Sequence, residues 1–301
     1  MKTDIKSPPS LLLQDSPDWQ DYELLDSGGG LKLERYGKYI LRRPEPEAVW
    51  QPALPEQAWN NASAVFRPSN EENGGHWETL KPVDERWVMT YKKLRFWTQL
   101  SASRHLGVFP EQASQWDWLS QQIQTASRPV KVLNLFGYTG LASLAAAQAG
   151  AAVTHVDASR KVIHWARENQ DLSGLAERPI RWILDDALKF VQREGRRGAQ
   201  YDGLILDPPK FGRGPKGEVW EFYNLLPELL QACRSVLSKQ PCFVLLTAYA
   251  VKASAVTLYY AIDEMMQGFT GRAEAGEVVL QEKSAGRLLS MAIFGRWSSA
   301  R

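Results

Sequence analysis

The sequence predicts an α/β protein preceded by a small β-rich unit, on three observations. Beyond Pro110, nearly continuous apolar runs alternate with helical patterns, as in a parallel sheet covered on both faces. Near the C-terminus, two apolar runs flank Ser284-Ala285-Gly286 and read as a hairpin, so the sheet gains an antiparallel edge. Before Pro110, short alternating runs are broken by glycines and prolines.

Residues 1–20 are polar with prolines and are expected to form a flexible tail. Residues 22–26, then Leu31, Leu33 and Arg35 after Gly28-Gly29-Gly30, then residues 39–41 after Gly37, predict a small antiparallel meander. Residues 44–55 read as a proline-rich connection and 70–75 as a turn, with strands at 87–91 and 94–100. Eight of the twelve tryptophans precede residue 120, enough to fill the core of such a unit and its seam with the next domain. Stacking of one or two on nucleotide bases is the competing reading.

The rhythm then changes. Helix is expected at 111–125, 141–149, 161–169, 188–193 and 222–237, with Ser159 as an N-cap and Gly150 as a stop. Strands are expected at 130–135, 152–156, 180–184, 203–206 and 243–247, and the closing hairpin at 277–281 and 288–294. No period of 20–50 residues repeats, which excludes a solenoid.

Composition narrows the function classes. Hydrophobic residues make up 44% and charged residues 23%, which excludes a mainly disordered chain. Basic residues number 36 against 34 acidic, a net charge of +2, too small to argue for nucleic acid without local clusters. Cys233 and Cys242 have no CxxC spacing and suit a reducing compartment; His76, His105, His155 and His164 are scattered, so no metal is expected. No run approaches 18 apolar residues and no signal peptide is legible, so no membrane span and a cytoplasmic location are expected.

In an open α/β sheet a ligand sits beyond the carboxyl ends of the strands. The first strand ends in Asn134-Leu135-Phe136-Gly137-Tyr138-Thr139-Gly140. Its glycines allow close approach of backbone to ligand, or simply a tight strand-to-helix turn. The second strand ends at Asp157, placed to accept from ribose hydroxyls or to cap the next helix. The third ends in Asp185-Asp186-Ala187, able to meet an adenine edge, or again to cap. The fourth ends in Asp207-Pro208-Pro209-Lys210-Phe211. Two prolines stiffen that corner and remove two N–H donors, leaving carbonyls to face the cleft as a rigid acceptor pair for a planar nitrogen.

The run 130–211 resembles the class I S-adenosylmethionine-dependent methyltransferases. Within them it is similar to bacterial ribosomal RNA large-subunit methyltransferases that carry NLFxYTG and DPPKF. GVFPEQ (107–112), VTHVDAS (153–159), WARENQ (165–170) and the closing hairpin extend the likeness. The resemblance implies a Rossmann-like seven-stranded sheet over 107–301, with 21–106 as a separate β-rich domain, and S-adenosylmethionine as cofactor. It implies that Asn134, Phe136, Gly137, Tyr138, Thr139 and Gly140 surround the methionine part, with Gln112 approaching from the preceding helix. Asp157, with Ala158 and Ser159, would meet ribose; Asp185, Asp186 and Ala187 would meet adenine; Asp207, Pro208, Pro209 and Lys210 would form the transfer site.

Attack by a pyrimidine carbon normally needs a cysteine adduct. Some relatives carry cysteine near the end of the fifth strand, where this chain has Thr247-Ala248-Tyr249. The target is therefore not expected to be a pyrimidine carbon; a nitrogen is favoured over a 2′-hydroxyl or a protein side chain. Ribosomal RNA is the expected partner. Arg86, Lys92, Lys93, Arg95 and Arg104, with no intervening acid, form one basic group; Lys210, Arg213 and Lys216 form another, on a glycine-rich loop read as flexible. Phe211 is placed to stack a flipped base or to pack the loop. Three other readings stay open: an NAD-type oxidoreductase, which lacks GxGxxG here; a methyltransferase for proteins or small molecules; and a non-catalytic RNA-binding factor.

Overall fold

A computed structural model describes residues 9–69, 74–101 and 104–300. The N-terminal part holds β1 (Leu11–Gln14), β2 (Tyr22–Gly28), β3 (Leu31–Tyr36), β4 (Tyr39–Pro44), α1 (Glu56–Asn60), β5 (Ala64–Pro68), β6 (Gly75–Thr79), β7 (Trp87–Tyr91) and β8 (Leu94–Thr98). A 3-10 turn at Pro110–Gln112 leads into α2 (Ala113–Thr125), β9 (Lys131–Leu135), α3 (Leu141–Gln148), β10 (Ala152–Asp157), α4 (Arg160–Leu172), β11 (Ile180–Leu184) and α5 (Ala187–Arg196). Then come β12 (Gly203–Leu206), β13 (Phe211–Arg213), β14 (Val219–Glu221), α6 (Phe222–Ser235), β15 (Phe243–Ala248), α7 (Ala255–Met265), β16 (Gly271–Gln281) and β17 (Leu288–Ser299).

The main sheet runs β1-β16-β17-β15-β12-β9-β10-β11. β15, β12, β9, β10 and β11 are mutually parallel, and β17 is antiparallel to β15 and β16, as the apolar runs and hairpin predicted. The strand count differs from expectation. An eighth strand, β1, pairs in parallel with β16, Leu11 opposite Ala275 through Gln14 opposite Val278. The expected tail over 1–20 is thus ordered at 11–14, and residues 1–8 lie outside the described residues. Nothing local marks this strand, because its partner lies at the other end of the chain. Gly276 makes the contact possible: a Cβ there would sit 1.9 Å from the Leu12 carbonyl oxygen.

The N-terminal part also departs from a simple meander. β2, β3 and β4 are antiparallel, but β5 joins β4 in parallel and β6 closes the sheet, while β7 and β8 form a separate ladder. Of the expected turn at 70–75, residues 70–73 lie outside the described residues. The two parts share one hydrophobic core, in which Tyr22, Tyr36, Met89 and Phe96 are continuous with Trp116, Leu119 and Leu144. Trp19 sits in that seam, 4.7 Å from Tyr91 and 6.2 Å from Trp116 between ring centroids. The tryptophans before residue 120 thus serve mostly as core or seam, as the compositional reading favoured.

Two of the five cations in the first basic group are paired. Arg86 makes paired hydrogen bonds to Glu168 at 3.0 and 2.9 Å and lies over the rings of Trp97 and Trp165. Lys92 pairs with Asp18 and Asp117. These two cations fasten elements together, while Lys93 and Arg95 are exposed. On the other face of the sheet, α5, α6 and α7 bury Phe190, Leu229 and Leu258 in a second cluster that also holds Cys233. Among the described residues, no helix is long and apolar enough to cross a membrane.

Candidate functional site

The loop after β9 leaves the sheet through backbone conformations that side chains usually avoid. Phe136 has φ 59°, Tyr138 52° and Gly140 86°. Non-glycine residues there cost about 1–3 kcal/mol each and persist only when their surroundings hold them. Those surroundings are specific. Gly137 N–H donates to the Val156 carbonyl at 3.1 Å, and Tyr138 N–H to Asp157 Oδ2 at 2.9 Å. The Phe136 ring packs on Trp220 at 5.0 Å and Tyr138 on Phe109 at 5.6 Å. Burial pushes the Tyr138 phenol up to about 12.

The glycines answer to packing first. A Cβ on Gly137 would lie 2.2 Å from the His155 ring, and one on Gly140 would lie 2.9 Å from the Ala166 methyl. His155 is fully buried and held neutral, its pKa lowered to about 3 by burial. Its Nδ1 is 2.9 Å from Ser143 Oγ, to which Asn134 Nδ2 donates at 2.9 Å. Thr139 turns its hydroxyl to the Gly107 carbonyl at 2.6 Å, and Asn169 donates to its carbonyl at 3.0 Å. Thr139 thus ties the loop to the segment that precedes α2.

At the next tip, Asp157 accepts the Ser159 N–H on Oδ1 at 2.8 Å. Burial raises this carboxyl's pKa, and the backbone N–H bonds pull the other way. Ser159 occupies the N-cap position of α4, yet its side chain makes no capping bond. One strand further, Asp185 accepts the Asp186 N–H at 2.9 Å and pairs with Arg193. Asp186 caps α5, Oδ1 accepting from Lys189 N at 2.9 Å, with Ala187 buried behind it. The two tips are adjacent, since Asp185 N–H donates to the Asp157 carbonyl at 3.1 Å.

Beyond β12, Gln112 Nε2 donates to Asp207 Oδ2 at 3.3 Å. Burial pushes the Asp207 carboxyl up to about 7, with the nearby Glu111 carboxyl adding to it. The diproline carbonyls do not both face the cleft as expected: the Pro209 carbonyl accepts the Trp220 indole N–H at 2.6 Å. The basic loop beyond them is not flexible either. It is the β13–β14 hairpin, Phe211 opposite Glu221 and Arg213 opposite Val219. Trp220 is its buried anchor, and Lys189 of α5 holds Glu218 at 2.9 Å. Phe211 is 51% exposed, with the Arg213 guanidinium 6.0 Å from its ring centre. Lys210 and Lys216 are exposed beside it.

A solvent-open cleft lies between the loop, α2 and β12. It brings together Gln112, Asn134, Phe136, Gly137, Tyr138, Thr139 and Asp207. Asp157, Asp185 and Asp186 do not line it; they sit at the adjoining strand tips. The lining holds a carboxylate and neither lysine nor arginine, so it suits a ligand that is cationic at this end. Gln115 and Phe109 also line it, and Glu111 and Tyr249 stand close behind. None of these four was expected at the site from sequence. The one signal for Gln115 is its spacing, three residues after Gln112 and so on the same helical face. Among the described residues, no three His, Cys, Asp or Glu side chains converge as a metal site.

Known proteins are similar to this chain. The S-adenosylmethionine-dependent methyltransferase from Agrobacterium tumefaciens, known from its crystal structure, is 47% identical, covering 97% of this chain and 96% of that one with a TM-score of 0.93. Ribosomal RNA large subunit methyltransferase K from Neisseria meningitidis is 25% identical over 196 residues, 63% of this chain and 54% of that protein. Ribosomal RNA large subunit methyltransferase K/L from Shewanella baltica is 31% identical over 192 residues, 60% of this chain and 26% of that protein. The chain thus spans about half of the first protein and about a quarter of the second. The family model for S-adenosylmethionine-dependent methyltransferases matches residues 61–247, and with it the chain belongs to that family.

Proposed function

We propose that this protein methylates a nitrogen of a ribosomal RNA nucleotide, with S-adenosylmethionine as donor. The observation that carries the reading is the placement of Asp207 across the cleft from the Phe136–Gly140 loop, with Asp157 and Asp185-Asp186 at the next two strand tips. When bound, S-adenosylmethionine supplies an electrophilic methyl group on a sulfonium centre.

The residues present fit that molecule. Each Asp157 oxygen accepts one backbone N–H and retains a lone pair for a ribose hydroxyl. Asp185 and Asp186 present carboxylates one strand further, able to accept from an adenine amino group. The N-terminus of α3 has no side-chain cap, so its first N–H groups are free to meet a carboxylate. Asp207 accepts an N–H of the incoming nitrogen, fixes its plane and takes its proton. Residues 107–301 carry this chemistry; Ser16 and Trp19 hold the Glu111 and Pro110 carbonyls, and Tyr91 of the β-rich unit over 21–106 holds Asp117 of α2.

The likeness to ribosomal RNA large subunit methyltransferases K and K/L supports RNA as the substrate. The β13–β14 hairpin supports it independently, with an exposed aromatic ring and the cations Arg213 and Lys216 on the segment that follows Asp207 in the chain. Phe211 stacks the base and the cations meet phosphates. Cysteine does not line the cleft; Cys233 and Cys242 are both buried in packing positions, which supports a nitrogen target over a pyrimidine carbon. Such a substrate places the protein in the cytoplasm.

The test is mass spectrometry of ribosomal RNA nucleosides from a deletion strain. One N-methylated nucleoside should disappear and return on complementation. An unchanged nucleoside set would refute the RNA assignment, and tight NADH binding without S-adenosylhomocysteine binding would refute the methyltransferase assignment.

A further inference from the structure

Gln115 lines the cleft and is fully buried, and its Oε1 has no hydrogen-bond partner. An unmade hydrogen bond on a buried amide oxygen costs about 1–3 kcal/mol, so such an atom calls for an explanation. Its orientation is fixed from the opposite side. Arg296 makes two contacts to Glu274 Oε2, at 3.1 and 3.0 Å, and donates from Nη1 to Gln14 Oε1 at 2.8 Å. Gln14 Oε1 therefore faces a donor, and Gln115 meets it with Nε2 at 3.4 Å. A flipped Gln115 amide would set two carbonyl oxygens against each other. Its Oε1 is thus held away from Gln14, on a residue that lines the cleft.

We infer that Gln115 Oε1 accepts a hydrogen bond from the α-ammonium group of the cofactor's methionine end, and that Gln14 of the eighth strand positions it. The inference rests on the cofactor reading above. Of the cofactor's groups at this end, the sulfonium has no N–H and the carboxylate is an acceptor. Only the ammonium donates. The cleft lining has no lysine or arginine to repel it. Gln14 lies outside the residues that match the family, so the extra strand acquires a role in ligand binding.

Isothermal titration with S-adenosylhomocysteine and with its analogue lacking the α-amino group tests this. Gln115→Leu should weaken S-adenosylhomocysteine about tenfold or more and change the analogue less than about twofold, the loss typical of one charge-assisted bond. Gln14→Leu, which frees the amide to rotate, should show the same selectivity with a smaller loss, and carries the test if the Gln115 variant misfolds. Equal weakening of both ligands by a folded Gln115 variant, or no weakening, would overturn the inference while leaving the cofactor reading intact. Failure of the unmodified protein to bind S-adenosylhomocysteine would overturn both.

Discussion

Asp157 Oδ2 accepts the backbone N–H of Tyr138 at 2.9 Å, joining the tip of β10 to the strained loop after β9. The same carboxylate therefore supports the loop and, in the proposed function, meets the ribose. Asp157→Ala should weaken S-adenosylhomocysteine by about 10–100-fold and lower stability by about 1–3 kcal/mol, because two N–H groups lose their acceptor. Titration calorimetry and thermal melting measure the two effects. Unchanged affinity with a lowered Tm would leave Asp157 a purely structural group.

Asp207 has the opposite profile. Asp207→Asn should reduce turnover by on the order of 10² or more while S-adenosylhomocysteine affinity stays within about threefold. The pH dependence follows from the raised carboxyl, about 7 against an ordinary 3.8. Below the ordinary value both folded and unfolded chains are protonated. Between the two values only the unfolded chain releases its proton, so the native protein loses stability as pH rises, fully so above about 7. The Tm advantage of Asp207→Asn over the parent should accordingly grow from pH 4 to pH 8, and kcat/KM of the parent should rise through about pH 7. A constant Tm difference would contradict the buried setting of this group.

Gly137 tests the packing account of the loop. Gly137→Ala places a methyl against the His155 ring, where an added Cβ would lie 2.2 Å away. The variant should lose about 2 kcal/mol or more of stability, typical of overpacking in a closed interior. Adding His155→Ala should return part of that loss in chemical denaturation. Absence of rescue would move the requirement for glycine from His155 to the ligand.

The legible parts of the sequence were those whose signal is local. Continuous apolar runs placed the five parallel strands to within about two residues, and residues 203–206 coincide with β12. The strand-end residues that line the cleft were legible for the same reason, because position after a strand is a sequence property. β1 was not, since Leu11–Gln14 owes its order to β16 at the far end of the chain. The β13–β14 hairpin was hidden by Gly212, Gly214, Gly217 and Pro215, which read as mobility; its order comes from Trp220, held between Phe136 and the Pro209 carbonyl. α7 had a signal that went unused, Ala255, Leu258, Ile262 and Met265 forming its buried stripe.

The hairpin carries the RNA prediction. Phe211→Ala should weaken binding of single-stranded ribosomal RNA fragments by about 1–3 kcal/mol, the worth of one stacked base. Arg213→Ala with Lys216→Ala should lower the slope of log K against log salt by about 1.4, from two lost phosphate contacts. Neither variant should alter S-adenosylhomocysteine affinity. Fluorescence anisotropy across a salt series reads both, and RNA binding unaffected by all three substitutions would remove the hairpin from the substrate path.

A crystal structure of the protein soaked with S-adenosylhomocysteine is the most direct measurement. The account predicts density with the adenosyl group against Asp157 and Asp186 and the sulfur in the cleft, facing Asp207. Density elsewhere on the molecule, or a cleft that stays empty at saturating ligand, would contradict it.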